Sequence, residues 1–243
     1  MCFTVSVEQR AKKAIREYVK THDGVQLEID FNEDFFLVSG FAHPRLPIIK
    51  QGKIELSEWG LIPSFAYSEE MARDIREKTL NARSDTIHEK QSYKSSIKDQ
   101  RAILVVDGFF EWMHRDGKKI PYYIFPKDDS AFYLGCIYNQ WTNQLTGELV
   151  DTFSIITTDA NPLMATIHNS KKRMPLILSK SDISLWIHPE TSMNVINNLM
   201  KPYAEAAMEA YQISAEASNP RINRNFPGIK EREGKEGEEE SLF

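Results

Sequence analysis

Ala102-Ile103-Leu104-Val105-Val106-Asp107-Gly108-Phe109-Phe110-Glu111-Trp112 is the stretch that decides the fold. It opens as a short apolar run rich in β-branched residues. The turn pair Asp107-Gly108 ends the run before a helix of ordinary length could form, so it reads as a buried strand. Segments of the same character lie on both sides, at 35–38 and 54–59 upstream and at 122–125, 131–137 and 152–157 downstream. Each is short, β-branched or aromatic, and bounded by turn residues. Val7, Ala11, Ala14, Ile15, Tyr18 and Val19 recur at helical spacing and predict a first helix. The charged stretch 68–78 predicts a connecting helix. Segments 181–187 and 192–211 predict late helices, with Ser181 and Ser192 as N-caps. There is no regular βαβ alternation, no internal repeat and no glycine-rich phosphate loop. The expectation is therefore an α+β fold: one compact domain over residues 1–228, with a largely antiparallel β-rich core and peripheral helices.

The chain has 243 residues, 41% of them hydrophobic and 27% charged, enough for a sizeable core and ordinary for a globular protein. Its formal net charge is −5, which at first argues against a nucleic-acid partner. The distribution matters more than the sum. Residues 230–243 hold three basic and six acidic residues, so this segment carries −3 and the body only −2. Polar and poor in apolar residues, residues 229–243 are expected to form a disordered acidic tail. No apolar run approaches the roughly 20 residues that span a bilayer. The N-terminus does not read as a signal peptide, so a cytoplasmic location is expected. The two cysteines, Cys2 and Cys136, make neither a disulfide framework nor a zinc site, and no metal or organic cofactor is implied. Cys136 lies in an apolar stretch and reads as a buried small hydrophobe.

Cys2 follows the initiator methionine. A small second residue permits removal of Met1, which would leave a free α-amine and a thiol on one residue. Their ordinary pKa values are about 7.7–8.0 and about 8.5, so both are partly available near neutrality. Such an aminothiol condenses with an aldehyde: the amine forms an imine and the thiol closes onto it as a thiazolidine. It also suits the nucleophile of an amide hydrolase. The plain alternative is an inert second residue. His168 lies in Ile167-His168-Asn169-Ser170-Lys171-Lys172-Arg173-Met174-Pro175 and can shuttle protons near neutrality. Lys171, Lys172 and Arg173 form a basic cluster able to seat phosphates, or simply a solvated loop. Glu111, flanked by aromatics, is a candidate general acid–base group or a structural carboxylate. In Asn81-Ala82-Arg83-Ser84-Asp85-Thr86, Asn81 can hydrogen-bond a sugar and Arg83 can hold a phosphate. Both residues also suit a turn with a salt bridge. Phe65, near Trp59-Gly60-Leu61-Ile62-Pro63, can stack on an unpaired base.

The order of these motifs resembles the SOS-response-associated peptidase (SRAP) family, from residue 1 to about residue 190. The resemblance implies a compact fold with a groove for single-stranded DNA. It implies that Cys2, freed of Met1, bonds to the ring-opened sugar of an abasic site. Asn81 would contact that sugar, Glu111 would assist imine formation and reversal, and His168 would move protons. Arg83 and Arg173 would grip flanking phosphates, with Lys171, Lys172 and Phe65 completing the DNA-binding set. It also implies an autopeptidase role in removing Met1, and a lyase role at abasic sites. The chain departs from the family at Phe3 and Thr4, where glycine and arginine are frequent, at Gly40-Phe41-Ala42-His43, and at Phe65-Ala66, where paired tryptophans are frequent. The expected partner is single-stranded DNA with abasic sites, bound by a monomer without membrane or metal. Two rival functions share these residues: an amide hydrolase that uses Cys2 but not DNA, and a non-covalent single-strand binder.

Overall fold

The computed structural model describes residues 2–22, 24–27 and 33–234. In chain order the strands begin with β1 (Thr4–Val7), followed by helix α1 (Gln9–Thr21), then β2 (Gln26–Leu27), β3 (Phe35–Ser39), β4 (Arg45–Lys50) and β5 (Lys53–Trp59). Helix α2 (Glu69–Lys78), β6 (Asn81–Arg83) and α3 (Ser96–Asp99) lead into the long strands β7 (Arg101–Val106), β8 (Gly108–Arg115), β9 (Lys118–Pro126), β10 (Phe132–Thr142) and β11 (Leu149–Asp159). The last part holds α4 (Pro162–Ile167), β12 (Arg173–Pro175), β13 (Ile177–Leu178), α5 (Ile183–Ile187), α6 (Met193–Leu199) and β14 (Met208–Gln212).

Two sheets share the core. One runs β14-β9-β8-β1-β3. In the other, β11, β10, β7, β4 and β5 follow one another and β5 returns to β11, closing a small barrel. An odd number of strands cannot alternate in direction all the way around, so one parallel contact is unavoidable. It falls at β5–β11, where Thr152 faces Glu58 and Phe153 faces Trp59. All other neighbours in the ring are antiparallel. Helices α1, α3 and α5 pack against β7, the strand read first in the sequence, which is buried at every position.

The Asp107-Gly108 pair does more than turn the chain. Asp107 accepts backbone N–H bonds from Glu8 (2.5 Å), Arg10 (3.0 Å) and Ala11 (3.2 Å), so a carboxylate from the β7–β8 junction caps the start of α1. Gly108 is required by close approach: a Cβ there would lie 2.5 Å from the Ile124 carbonyl oxygen and 2.6 Å from the Tyr123 ring. Replacing Asp107 with alanine is expected to cost about 2–3 kcal/mol, because three helix donors lose a charged acceptor. Urea melts of Asp107→Ala check this; a midpoint within error of the parent's would rule the cap out as a stabilising contact.

The late helices depart from expectation. Only Met193–Leu199 of segment 192–211 is α-helical, because Lys201-Pro202 cannot continue a helix. Its end is instead β14, antiparallel to β9 from Met208↔Pro126 to Gln212↔Tyr122. Segment 181–187 is a 3₁₀ turn, Lys180–Asp182, leading into α5; Ser181 does not cap it, and Ser192 makes no side-chain cap bond. The domain also runs past residue 228. Ile229 is buried, Arg232 bridges to Ile213, and the Glu233 N–H donates to the Gln212 carbonyl (3.0 Å). Residues 235–243 of the expected tail lie outside the described residues.

Candidate active site

Strand β1 inserts between β3 and β8, with Val5 facing Phe109 and Ser6 facing Gly108. That insertion carries the residue before it into the interior, and Cys2 is wholly buried in the main core cluster. The sequence suggested an accessible thiol; packing on both sides of β1 is why it is not. Burial, reinforced by the nearby Glu111 carboxylate, pushes the Cys2 thiol up to about 12, so it is protonated at neutral pH. Cys136 is buried as expected, and burial pushes its thiol up as well.

Glu111 sits on β8 opposite Tyr122 and is 6% exposed. Its Oε2 lies 3.8 Å from Nδ1 of His168, which is 4% exposed. Two local devices bring His168 there. Asn161 caps α4 by accepting from the Met164 N–H (2.9 Å), with Pro162 in the first turn, and the His168 N–H closes that helix onto the Met164 carbonyl (2.7 Å). Asn169 then latches the loop to β8, its amide nitrogen donating to the His114 carbonyl (2.7 Å) and its oxygen accepting the His114 N–H (3.1 Å). Nδ1 of His168 lies 2.8 Å from the Arg173 carbonyl oxygen, which can only accept. The Arg173 N–H also approaches Nδ1 (3.3 Å), but the shorter contact is to an oxygen that can only accept, which assigns the proton to Nδ1 and leaves Nε2 as the basic nitrogen of the neutral ring. Burial lowers the pKa of His168, with Glu111 opposing that shift.

A cleft of about 410 Å³ opens over this pair. Phe3, the neighbour of Cys2, lines it together with Glu111, Trp112, His168, Lys171 and Arg224; Lys119 and His114 complete one wall. Among the described residues Glu111 is the only carboxylate in that lining, so the cleft is cationic on a protein of net negative charge.

The other residues singled out in the sequence have different settings. Asn81 and Arg83 line a second cleft of about 530 Å³. Asn81 faces Ile155, which faces Cys136 across β11 and β10, and both polar atoms of its side-chain amide are buried without a partner. The Arg83 guanidinium is held by Asp85 (2.5 Å) at the surface. Arg173 is turned inward, 5% exposed, donating to the Thr157 carbonyl (2.5 Å) with Asp159 and Asp85 nearby, so it is spent on structure rather than presented to solvent. Lys171 and Lys172 are exposed, Lys172 with a left-handed backbone (φ 49°). Phe65 is 45% exposed in the turn between β5 and α2 and is not among the residues lining the Glu111–His168 cleft. Sequence reading missed Lys119, Trp112, Asn169 and Arg224. Trp112 and Asn169 stood inside quoted motifs. Lys119 belongs to a Lys118-Lys119 pair that looks like any solvated hairpin, and nothing marked Arg224.

Among the described residues no three His, Cys, Asp or Glu side chains cluster as metal ligands, and no helix is long and apolar enough to cross a membrane. A family model described as SOS response associated peptidase (SRAP) matches residues 1–220. The abasic site processing protein YoqW of Bacillus subtilis (strain 168) is 36% identical over 207 residues, covering 79% of this chain and 89% of that protein. The abasic site processing protein HMCES of Gallus gallus is 36% identical over 149 residues, covering 53% of this chain and 43% of that protein. A solved structure of a protein from Bacteroides thetaiotaomicron superposes with a TM-score of 0.87 at 40% identity, covering 95% of this chain and 99% of that one.

Proposed function

Because this chain belongs to the SOS response associated peptidase (SRAP) family, we propose that it captures abasic sites in single-stranded DNA by a covalent bond to Cys2. The observation that carries the reading is the Glu111–His168 pair beneath a cationic cleft lined by Phe3, with the buried thiol of the preceding Cys2 close enough to Glu111 to feel its charge.

Met1 must leave first. The Cys2 sulfur attacks the Met1 carbonyl carbon, giving a thioester and freeing the Cys2 amine; water then hydrolyses the thioester and releases methionine. This is the peptidase step. The amine next adds to the C1 aldehyde of the ring-opened sugar. A proton delivered to the resulting hydroxyl lets water leave, giving an imine. The thiol then adds to the imine carbon and its proton passes to nitrogen, closing a thiazolidine. Aldehyde and aminothiol give thiazolidine and one water. A thiol held near 12 reacts only as His168 removes its proton, in the peptidase step as here, whereas the amine freed by loss of Met1 needs no such help, so the amine leads and the sulfur follows. Neutral His168 takes the thiol proton at Nε2, and Glu111 stabilises the cationic iminium beside it. An imine that the thiol fails to trap has acidified C2 hydrogens. Loss of one, with departure of the 3′ phosphate, is the lyase outcome. Asn81 would orient the sugar, and Lys171, Lys172, Arg83 and Phe65 would hold the flanking strand. Arg173 would support that grip from inside, through Asp85.

An abasic site offers no base to read, so affinity comes from phosphates and stacking and specificity from the aldehyde. The test is a denaturing gel with purified protein, confirmed by mass to lack Met1, and an oligonucleotide carrying one abasic site. A heat-stable adduct is expected, and its absence would return the function to amide hydrolysis. Capture before bonding is expected to weaken with salt. Three cleft cations, Lys119, Lys171 and Arg224, give a slope of log K against log salt of about −2, from roughly −0.7 per contact on single strands. Fluorescence anisotropy with a reduced, aldehyde-free abasic oligonucleotide measures this slope, and a flat response would remove phosphate contacts from the reading.

A further inference from the structure

Phe41 is 65% exposed, among the most exposed large apolar side chains described, yet nothing about its setting is loose. It projects from the 3₁₀ turn Gly40–Ala42. The Gly40 N–H donates to the Phe3 carbonyl (2.8 Å), and the His43 N–H donates to the Gly40 carbonyl (2.9 Å). His43 adopts a left-handed backbone (φ 48°), and its Nδ1 bonds the Trp59 carbonyl (2.7 Å). Gly40 packs so tightly on the Trp59 indole that a Cβ would sit 2.9 Å from it. The turn is thus pinned at both ends and from behind, and it holds an aromatic ring out in water. A lone exposed aromatic is ordinary on a protein surface, but one held rigid and stacked on a residue that lines a cationic cleft offers that cleft a contact face.

Its position says what would make the contact. The Phe41 ring lies against Phe3, centroids 4.9 Å apart at 39°. Phe3 follows Cys2 directly and lines the cleft that holds Glu111, His168 and the cations. A strand whose phosphates run along Lys119, Lys171 and Arg224 meets Phe3, one residue from the bonding atom, and Phe41 extends that apolar face beyond the cleft's own lining. The nucleotide beside an abasic site has lost a stacking neighbour, so its exposed face needs a replacement.

We infer that Phe41, braced by Phe3, is a stacking platform for the nucleobase adjacent to the captured sugar. The inference rests on the abasic-site reading above. It makes binding depend on the flanking base: strong for a large purine face, weak for a pyrimidine, and lost where no base is present.

The experiment uses the full chain lacking Met1. Its ligands are single-stranded oligonucleotides with a central tetrahydrofuran abasic analogue, which cannot form an aldehyde. One has adenines on both sides and the other has further analogues there. Anisotropy should show the wild type preferring adenine flanks, and Phe41→Ala should lose roughly 5- to 150-fold of that affinity, the range for one base on one aromatic ring. On the baseless flanks Phe41→Ala should match the wild type, and Phe41→Trp should retain the preference. A 2-aminopurine in the flanking position should change fluorescence on binding the wild type and not on binding Phe41→Ala. Unchanged melting of Phe41→Ala would confirm that only an exposed contact was removed. The platform is overturned if both proteins show the same ratio between the two oligonucleotides. A separate lane with an aldehyde-bearing abasic site tests the parent reading: no wild-type adduct there overturns both claims, whereas an adduct with an unchanged ratio overturns the platform alone.

Discussion

Cys2→Ala is expected to abolish the heat-stable adduct with abasic DNA, a loss of at least about 100-fold against the wild type, while leaving reversible binding nearly intact. The reason is stoichiometric rather than energetic. A stable ring needs both nitrogen and sulfur on one residue, and alanine supplies only nitrogen. The imine that remains hydrolyses in the denaturing gel. Trapping with borohydride should recover an adduct from Cys2→Ala, because reduction fixes the imine without sulfur. The variant lacks the sulfur of the peptidase step, so its Met1 is removed with a methionine aminopeptidase and the loss is checked by mass before the gel is run. The buried setting of Cys2 makes the comparison clean, since alanine fits the same space and the lost sulfur costs about 1 kcal/mol of packing. A Cys2→Ala protein that keeps a heat-stable adduct without reductant would place the covalent bond on another residue and dismiss the thiazolidine.

The largest expected effect on stability belongs to Arg101, at the start of β7, which has no solvent exposure. It has no close carboxylate partner in the described contacts. Its guanidinium is spent on backbone carbonyls: Trp186 (2.7 Å) in the last turn of α5, His188 (2.5 Å) and Pro189 (3.3 Å) just after it, and Ile97 (2.9 Å) and Lys98 in α3. One side chain thus satisfies the open ends of two short helices and fastens both to the barrel. Burial lowers its pKa, with Asp99 opposing, and the guanidinium remains charged. Arg101→Met keeps the length and loses every donor. About 3–5 kcal/mol is expected, because several buried carbonyls lose their partner at once, with a fall in Tm of roughly 6–20 °C. Arg101→Lys keeps the charge but cannot fork to both helices, and should fall between. Calorimetry decides it: a Met variant within 2 °C or so of the parent would show that water replaces the guanidinium without cost.

The contrast between Arg101 and Arg173 shows where sequence reading stops. Both are arginines at the start of strands. Arg173 stood in a basic cluster and was assigned to phosphate, yet its donors go to Thr157 and Asp159. Charge along a sequence does not say which way a side chain points. The core was more legible. Every interior strand of the barrel except β4 carries the alternating or continuous apolar signal. The exception holds Pro47, which argues against a central strand; it is accommodated because β7 pairs with β4 only from Ile48 onward. Glu111 and His168 were identifiable as chemically apt residues, but their approach depends on Asn169 bonding to the β8 backbone, a long-range contact with no local signature. The end of segment 192–211 failed for the opposite reason: its local pattern favoured a helix, and pairing with β9 overrode it.

The odd-stranded ring has a consequence in time. Its parallel closing contact joins Trp59 to Phe153, so the barrel cannot seal until β11 has been made. The cleft needs still more chain, since Arg224 forms part of its wall and Lys230 fastens the C-terminal segment to Glu8 beside β1. At a synthesis rate of about 5–20 residues per second, roughly 10–45 s separate the emergence of Cys2 from that of the last residues that line the cleft or brace β1. During that interval the cleft beside Phe3 lacks part of its wall and β1 lacks the brace that Lys230 gives Glu8. Closure of the cleft at residue 3 is therefore scheduled by residues more than 200 positions away.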